Sequence, residues 1–195
     1  MQGKALKLIV GLGNPGPQYR YNRHNAGEWF LSRVAADFHG ELRAETKFFG
    51  LTGRITIADQ DVRLLFPTTF MNRSGQSVSA FCHYFDIEPD QMLVAYDEID
   101  FDVGTTRFKF GGGHGGHNGM RDIISALGGN RDFYRLRIGV GHPGNKAQVA
   151  NYVLGDPSKA EMEAIQTDID QAIRSLPHAV KGEWQSAMHE LHTKP

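Results

Sequence analysis

The sequence predicts an α/β fold, a single-domain three-layer sandwich in which helices flank a mixed, twisted β-sheet. The first observation is that short β-rich runs alternate along the chain with segments whose apolar residues recur at helical spacing. The second is the size, since 195 residues with 40% hydrophobic and 22% charged side chains suit one globular domain over residues 1–195. The third is that no internal repeat or low-complexity linker divides the chain.

The first half of the chain provides three strands and two helices. In chain order the predicted elements are a strand at 6–10, a helix at 25–38, strands at 48–57 and 62–66, and a helix at 74–85. Gly40 ends the first helix, and a polar turn at 59–61 joins the second and third strands. The second helix carries Cys82 on its apolar stripe, so we expect a core thiol without a chemical role.

The second half continues the alternation. In chain order it predicts strands at 92–96 and 105–110, a helix at 120–127, a strand at 135–140, and helices at 158–176 and 178–189. The run at 92–96 is continuously apolar, which is typical of a strand buried on both faces. Ser158 and Glu161 match a capping box at the start of the long helix, and we expect Pro177 to end it.

Charge is segregated along the chain although the net charge is only −1. Residues 103–146 hold seven Lys or Arg against two acids, whereas residues 83–102 hold seven acids and no Lys or Arg. This pattern predicts one positive face, although scattered solvated charges would give the same count. A lone cysteine suits a reducing compartment, and no run approaches the roughly 20 apolar residues that span a bilayer. We therefore expect a cytoplasmic protein without a membrane segment.

The first glycine-rich turn has two interpretations. Residues 11–16 read G-L-G-N-P-G and satisfy the G-x-G-x-x-G dinucleotide pattern after a strand. However, Pro15 and Pro17 and the polar run at 18–24 postpone the helix whose N-terminus would receive a pyrophosphate. A tight loop that presents Asn14 at the carboxyl end of a strand explains the glycines equally well.

His24 is a candidate general base. It lies in polar, loop-like sequence before the first apolar position of the predicted helix, and a neutral imidazole removes protons near physiological pH. Such a histidine needs an orienting acceptor, and Asp97, directly after the predicted strand at 92–96, is suited to that role. The alternative is a solvated histidine and an unrelated aspartate in an acidic turn.

Two further segments carry polar groups beside glycines. Residues 111–119 contain His114 and His117 among six glycines, which indicates backbone close to a ligand, a metal site or a flexible tether. A zinc site would need more protein ligands, and the chain has no cysteine pair to supply them. Asn72 lies near the start of the helix at 74–85, where helix capping alone explains an asparagine.

All of these segments follow predicted strands, and open α/β sheets place their sites beyond the carboxyl ends of strands. The polar groups that this arrangement would bring together are Asn14, His24, Asn72, Asp97 and Asn118. The sequence has no G-x-S-x-G turn, and its one thiol is assigned to the core. If the site is catalytic, water rather than a side chain is the expected nucleophile.

These polar segments belong to longer motifs that follow one another along the chain. They are LIVGLGNPG at 8–16, Tyr19 with NRHN at 22–25, TFMN at 69–72, DE at 97–98, GGHGGHNG at 112–119 and RIGVG at 137–141. In this combination the chain closely resembles the bacterial-type peptidyl-tRNA hydrolases, over residues 8 to about 154.

The resemblance implies a monomeric enzyme, without metal, organic cofactor or obligate protein partner, that cleaves the ester between a peptidyl group and the 3′-terminal ribose of tRNA. His24 corresponds to the family's catalytic base and Asp97 to its orienting carboxylate. The matching positions for substrate and water are Asn14, Asn72 and Asn118, with Tyr19, Met71 and His117 at nearby pocket positions. The basic positions expected to face the acceptor arm of tRNA are Lys109, Arg137 and Lys146.

Two other function classes remain open at this point. The glycine loops of a nucleotide- or RNA-binding module would cradle phosphate without catalysis. A zinc hydrolase would use the histidines as ligands and would lose its activity with chelators.

Overall fold

This computed structural model describes residues 3–193, and the strands in this part of the chain form one mixed β-sheet. The four outermost positions of the predicted domain 1–195 lie outside the described residues. The strands are β1 (Leu8–Gly11), β2 (Arg43–Glu45), β3 (Gly50–Ile57), β4 (Gln60–Pro67), β5 (Met92–Glu98), β6 (Thr106–Phe110) and β7 (Tyr134–Gly139). The helices are α1 (Ala26–Asp37), α2 (Ser74–Phe85), α3 (Asn118–Ala126), α4 (Val149–Val153), α5 (Lys159–Val180) and α6 (Trp184–His192).

The strand order is β2-β3-β4-β1-β5-β7-β6. The four central strands β4, β1, β5 and β7 are parallel, while β2, β3 and β6 pair antiparallel at the two sides. The carboxyl ends of the parallel strands therefore meet at one end of the sheet. The strand predicted at 92–96 is buried on both faces, as expected, and extends to Glu98.

Helices cover both faces of the sheet. Ile9 of β1 belongs to the apolar core that α1, α5 and α6 form on one face. Its neighbours Leu8 and Val10 belong to the core that α2 and α3 form on the other face. This alternation follows from the two-residue period of a strand, and the predicted three-layer α/β sandwich is confirmed. Cys82 lies in the second core, where burial raises the pKa of its thiol to about 12.

Some predicted boundaries are wrong. The turn between β3 and β4 is Ala58 and Asp59, with φ of 49° and 62°, so Gln60 already belongs to the strand. Positive φ at both central residues is the two-residue turn that matches strand twist. Phe48 ends a 3-10 helix before β3 rather than beginning the strand. The short elements β2 and α4 were not predicted because they span too few residues to show a period.

Pro177 does not end the long helix. α5 continues through it to Val180, and the final helix begins at Trp184 rather than at 178. A proline inside a helix costs about 3 kcal/mol. Leu176, Ala179 and Val180 are fully buried in the first core, and this burial offsets the cost of continuing the helix. Among the described helices, none combines the length and the apolar character needed to cross a bilayer.

Candidate active site

Most of the predicted polar segments meet at the carboxyl end of the parallel strands. Asn14 follows β1, and the 3-10 helix Met71–Arg73 follows β4. Asp97 lies inside β5, paired with Ile138 of β7, rather than after the strand. The assumption that residues 111–119 also start at this end is wrong, because β6 is antiparallel to β7 and Phe110 pairs with Tyr134 at the opposite end.

The glycine-rich loop returns across the face of the sheet to the common end. Arg135 of β7 is fully buried and donates through Nη2 to the Gly112 carbonyl at 2.6 Å and through Nη1 to the Gly113 carbonyl at 2.5 Å. The loop then reaches Asp97, where His117 Nε2 lies 2.8 Å from Oδ1. Arg135 therefore fixes the path of a loop that its sequence would leave flexible.

His24 reaches Asp97 because α1 packs closely against β5. His24 lies in the 3-10 helix Arg23–Asn25, directly before α1. A Cβ at Gly27, in the first turn of α1, would lie 2.1 Å from the Ala95 carbonyl, so only glycine permits this approach. His24 Nδ1 lies 3.0 Å from both carboxylate oxygens of Asp97.

Asp97 accepts hydrogen bonds from two imidazoles. The Met120 backbone N–H donates to His117 Nδ1 at 3.2 Å, so the His117 nitrogen that donates to Asp97 is Nε2. The rings of His24 and His117 are 4.9 Å apart between centroids. Since His24 Nδ1 also meets the carboxylate, its proton lies on Nδ1 and its Nε2 carries a lone pair.

His24 and His117 keep the Asp97 carboxylate ionised, and Asp97 in turn makes His24 more basic. Burial alone would raise the pKa of Asp97, but the charges and hydrogen bonds of His24 and His117 hold that pKa well below its usual range. Burial likewise would lower the pKa of His24, but the charge and the hydrogen bond of Asp97 outweigh it and raise the pKa above 6.5. The site therefore holds an ionised carboxylate and an imidazole that is more basic than usual.

Asn14 is fixed by a second asparagine. Its backbone N–H donates to Asn25 Oδ1 at 2.9 Å, and Asn25 Nδ2 donates back to the Asn14 carbonyl at 3.0 Å. The Asn14 side chain accepts from the Met71 N–H at 2.7 Å through Oδ1. No described residue accepts from its Nδ2, which is therefore the group left for a ligand. Sequence reasoning missed Asn25, because a residue at a helix start gives no sign of such a long-range bond.

Met71 connects the remaining asparagine segments. A Cβ at Gly119 would lie 2.6 Å from Met71 Sδ, so the start of α3 packs directly on this side chain. Asn72 and Asn118, which adjoin Met71 and Gly119 in the chain, are exposed. The capping alternative for Asn72 fails because the N-cap of α2 is Arg73.

Tyr19 is half-buried in a short 3-10 helix after the first turn. Its ring lies edge-on to Phe70, with centroids 6.4 Å apart.

The three predicted tRNA contacts lie outside this pocket and differ in their surroundings. Lys109 is exposed on β6, and Lys146 is exposed in a short 3-10 helix between β7 and α4. Arg137 is half-buried, with Nη2 2.8 Å from Glu98 and its guanidinium 4.3 Å over the Phe101 ring. The segment charge counted from sequence therefore exceeds the charge that this region presents to solvent.

The site also has the composition of a metal centre. Ligand atoms of His24, Asp97 and His117 all lie within 4.8 Å of one another. His24 Nδ1 and His117 Nε2 already lie at hydrogen-bond distance from the carboxylate, so a bound cation would have to replace both bonds.

The dinucleotide interpretation requires an α-helix that starts at the last glycine of the turn and receives the pyrophosphate at its N-terminus. In the structure α1 begins ten positions after Gly16, so this requirement is not met.

The family model described as peptidyl-tRNA hydrolase matches residues 8–195. The chain belongs to this family. The resemblance found in the sequence motifs is thereby confirmed, and it extends through the C-terminal helices.

Relatives of the peptidyl-tRNA hydrolase family match nearly the whole chain. The peptidyl-tRNA hydrolase of Chromohalobacter salexigens is 53% identical over 188 residues, which cover 96% of this chain and 97% of the relative. That of Pseudomonas fluorescens is 53% identical over 190 residues, with 97% and 98% covered. The crystal structure of peptidyl-tRNA hydrolase from Acinetobacter baumannii superposes with a TM-score of 0.95 at 44% identity, covering 99% of this chain and 97% of that one.

Proposed function

We propose that this protein hydrolyses the ester between a peptidyl group and the 3′-terminal ribose of tRNA, with water as nucleophile and His24 as general base. The assignment of His24 as the base depends on one observation. His24 Nδ1 is bonded to the buried carboxylate of Asp97, so the opposite nitrogen is free to take a proton.

The proton balance follows from that tautomer. His24 Nε2 removes a proton from water while the water oxygen attacks the ester carbonyl carbon. The carbonyl re-forms as the bond to the ribose oxygen breaks, and that oxygen receives the proton from Nε2. During the step Asp97 stays ionised and stabilises the imidazolium, as the lowered pKa of its carboxyl favours. His117 Nε2 donates a second hydrogen bond to the same carboxylate, which helps to keep it in place.

Asparagine amides are suited to the rest of the work. Asn14 has only Nδ2 left to donate, and a donor at this position stabilises negative charge on the carbonyl oxygen. Asn72 and Asn118 project from neighbouring exposed positions, where they would bind peptide groups and the attacking water. Tyr19 and Met71 would line the same pocket. Amides bind the backbone of a peptide without reading its side chains, which suits a substrate of variable sequence.

The tRNA portion would be bound through phosphate and shape, since the deep major groove of A-form RNA excludes side chains. The exposed Lys109 and Lys146 are the cations best suited to phosphate contacts. Arg137 would contribute less, because Glu98 already neutralises it. We also propose a cytoplasmic location, since a tRNA substrate of translation is found there. Because the described residues supply both base and carboxylate from one chain, we propose that it acts as a single-domain monomer without a cofactor or an obligate partner.

The decisive experiment removes the imidazole. With N-blocked aminoacyl-tRNA as substrate, we expect His24→Ala to lower kcat by about 10²- to 10⁴-fold. His114→Ala is the matched control, since His114 lies in the loop of His117 and its Nδ1 accepts only a local backbone N–H, from Gly116 at 2.9 Å. A loss of only a few-fold in His24→Ala would remove this histidine as the base.

A metal-dependent hydrolase is the second candidate, favoured by the close spacing of the histidine and carboxylate ligand atoms. It predicts that a chelator abolishes activity and that added zinc restores it. The general-base mechanism predicts the same rate with and without the chelator. Measuring initial rates before and after dialysis against a chelator separates the two.

A further inference from the structure

A network of contacts ties the residue before His24 to the segment between β7 and α5. The Arg23 guanidinium lies 4.0 Å from the centroid of the Tyr152 ring, and its Nη1 donates to the Tyr152 carbonyl at 3.0 Å. Its Nη2 lies 3.6 Å from Glu161 in the first turn of α5, and only 12% of its side chain is exposed. A ring, a carbonyl and a carboxylate thus hold the guanidinium in one orientation.

Further hydrogen bonds extend this network to the backbone and to the sheet. The Arg23 backbone N–H donates to the Gly155 carbonyl at 3.0 Å, and Asn22 Nδ2 donates to Asp156 Oδ1 at 2.8 Å. The Tyr152 hydroxyl donates to the Val140 carbonyl, just after β7, at 2.7 Å. The segment is therefore attached both to the sheet and to the residues that precede the imidazole.

The position of Arg23 along the chain gives this network a consequence for the site. Arg23 and His24 are consecutive residues of one three-residue 3-10 helix. Hydrogen bonds within so short a helix have poor geometry, so its orientation depends on outside contacts. Asp97 and His117 are the titratable groups that face His24, and both contact its ring rather than the Arg23 side chain.

We propose that Arg23 is a positioning residue for the hydrolysis. Through Tyr152 and Glu161 it holds the 3-10 helix so that His24 Nδ1 stays on the Asp97 carboxylate. This inference rests on the proposed role of His24 as base. A displacement of about 1 Å at a reacting group costs up to about 10²-fold in rate, so the loss of this contact has a measurable effect on the chemical step.

The test compares Arg23, in the 3-10 helix before α1, with Arg33 of α1, since both side chains contact α5. Arg23→Gln removes the network, and Arg23→Lys keeps the positive charge. Arg33→Gln is the matched control, because Arg33 of α1 donates to Gln166 at 3.0 Å and to Asp170 of α5 but lies nine positions beyond His24. Single-turnover rates are measured from pH 5 to 9, together with Tm, and His24→Ala is included in the series.

We expect Arg23→Gln to lower the single-turnover rate about tenfold or more and to move the midpoint of its pH profile downward, since a looser contact with Asp97 makes His24 less basic. Arg23→Lys should recover part of the rate and part of the shift in the pH midpoint, whereas Arg33→Gln should change neither the rate nor the midpoint. If Arg23→Gln lowers only Tm, or lowers the rate with an unchanged midpoint, the positioning role is overturned. If His24→Ala also retains its rate, the proposed role of His24 as the base fails.

Discussion

Two regions on strands β5 to β7 differ in how their charged groups are arranged. One is the buried pocket around Asp97, where opposite charges meet. The other is a cationic ribbon, where like charges face each other on β6 and β7; its residues are Arg107, Lys109, Arg135 and Arg137. In the pocket one carboxylate lies between two imidazoles at 2.8 and 3.0 Å. In the ribbon, like charges stand directly opposite, Arg107 against Arg137 and Lys109 against Arg135. Cross-strand pairs of this kind are destabilising unless each cation finds another partner.

Among the described residues, only the cations of β7 have partners that offset this repulsion. On β7, Arg137 is paired with Glu98, and Arg135 is buried beneath the loop carbonyls that it binds. On β6, Arg107 and Lys109 are exposed, and no described acidic side chain forms an ion pair with either. The pocket should therefore control the chemical step, while the β6 cations should control affinity for a polyanion.

The largest expected effect comes from reversing the hydrogen bond in the pocket. Asp97→Asn presents an amide that donates to His24 Nδ1, which moves the imidazole proton to Nε2 and removes the base. We expect kcat to fall by about 10³- to 10⁴-fold, as in other sites where an orienting carboxylate becomes an amide. Steady-state kinetics with N-blocked aminoacyl-tRNA measures this, and KM should stay within a few-fold.

The matched control is Asp102→Asn, an exposed acid in the loop after β5. It makes the same chemical change five positions along the chain without touching an imidazole. If both variants lost the same small factor, the pocket would have no special control over the rate. A large rise in KM with unchanged kcat would contradict that control as well.

The second effect is the pH dependence of the chemical step. Because Asp97 raises the pKa of His24 above 6.5, kcat should fall about tenfold per pH unit on the acid side of a midpoint that itself lies above 6.5. The sequence alone predicts a decline near 6.5. Single-turnover rates between pH 5 and 9 test this, and a flat profile would contradict the assignment of the base.

The same shifts have opposite consequences for stability. The folded protein binds the His24 proton more tightly than the unfolded chain, so this contribution is complete below pH 6.5 and is lost as the pH rises through the raised pKa. The Asp97 carboxyl has a lowered pKa, so its contribution is present at neutral pH and is lost in acid. Urea unfolding at several pH values separates the two.

The contrast between the regions also explains what sequence could predict. The elements with a clear period were found, mostly with shifted ends, and the bounds of α2 at 74–85 were predicted to the residue. The motifs singled out His24, Asp97 and Asn14 as site candidates from local signals of residue type, and the fold brings His24 and Asp97 together. Nothing local indicates which partner Asn25 or His117 meets, so the bond of Asn25 to Asn14 and that of His117 to Asp97 were not foreseen.

Burial was equally hard to predict in the ribbon. Counted along the chain, Arg135 and Lys109 are two similar cations on neighbouring strands. In the fold Arg135 is only 1% exposed and binds carbonyls, whereas Lys109 faces solvent. The difference arises from the loop that crosses β7, whose path depends on the antiparallel direction of β6. That direction cannot be read from the local period of the strand.

The third effect lies in the ribbon. Lys109→Glu should raise KM for full-length tRNA substrates several-fold and reduce the slope of log KM against log salt by about 1, with little change in kcat. Lys146→Glu should act in the same way, since it is also exposed. Kinetics at several salt concentrations test this. Equal effects on a short substrate without the acceptor stem would show that neither lysine contacts the tRNA.

The smallest effect is expected at Arg137, where the two regions meet. Its guanidinium already donates through Nε to Glu98 at 2.8 Å and stacks over Phe101, so tRNA would gain little from a charge that is largely neutralised. Arg137→Gln should therefore raise KM less than Lys109→Gln, a change of equal charge on the adjacent strand. Instead it should lower Tm, because Glu98 is left buried without its partner. If Arg137→Gln raised KM as much as Lys109→Gln, the ion pair with Glu98 would have to open when tRNA binds, and the distinction between the two strands of the ribbon would fail.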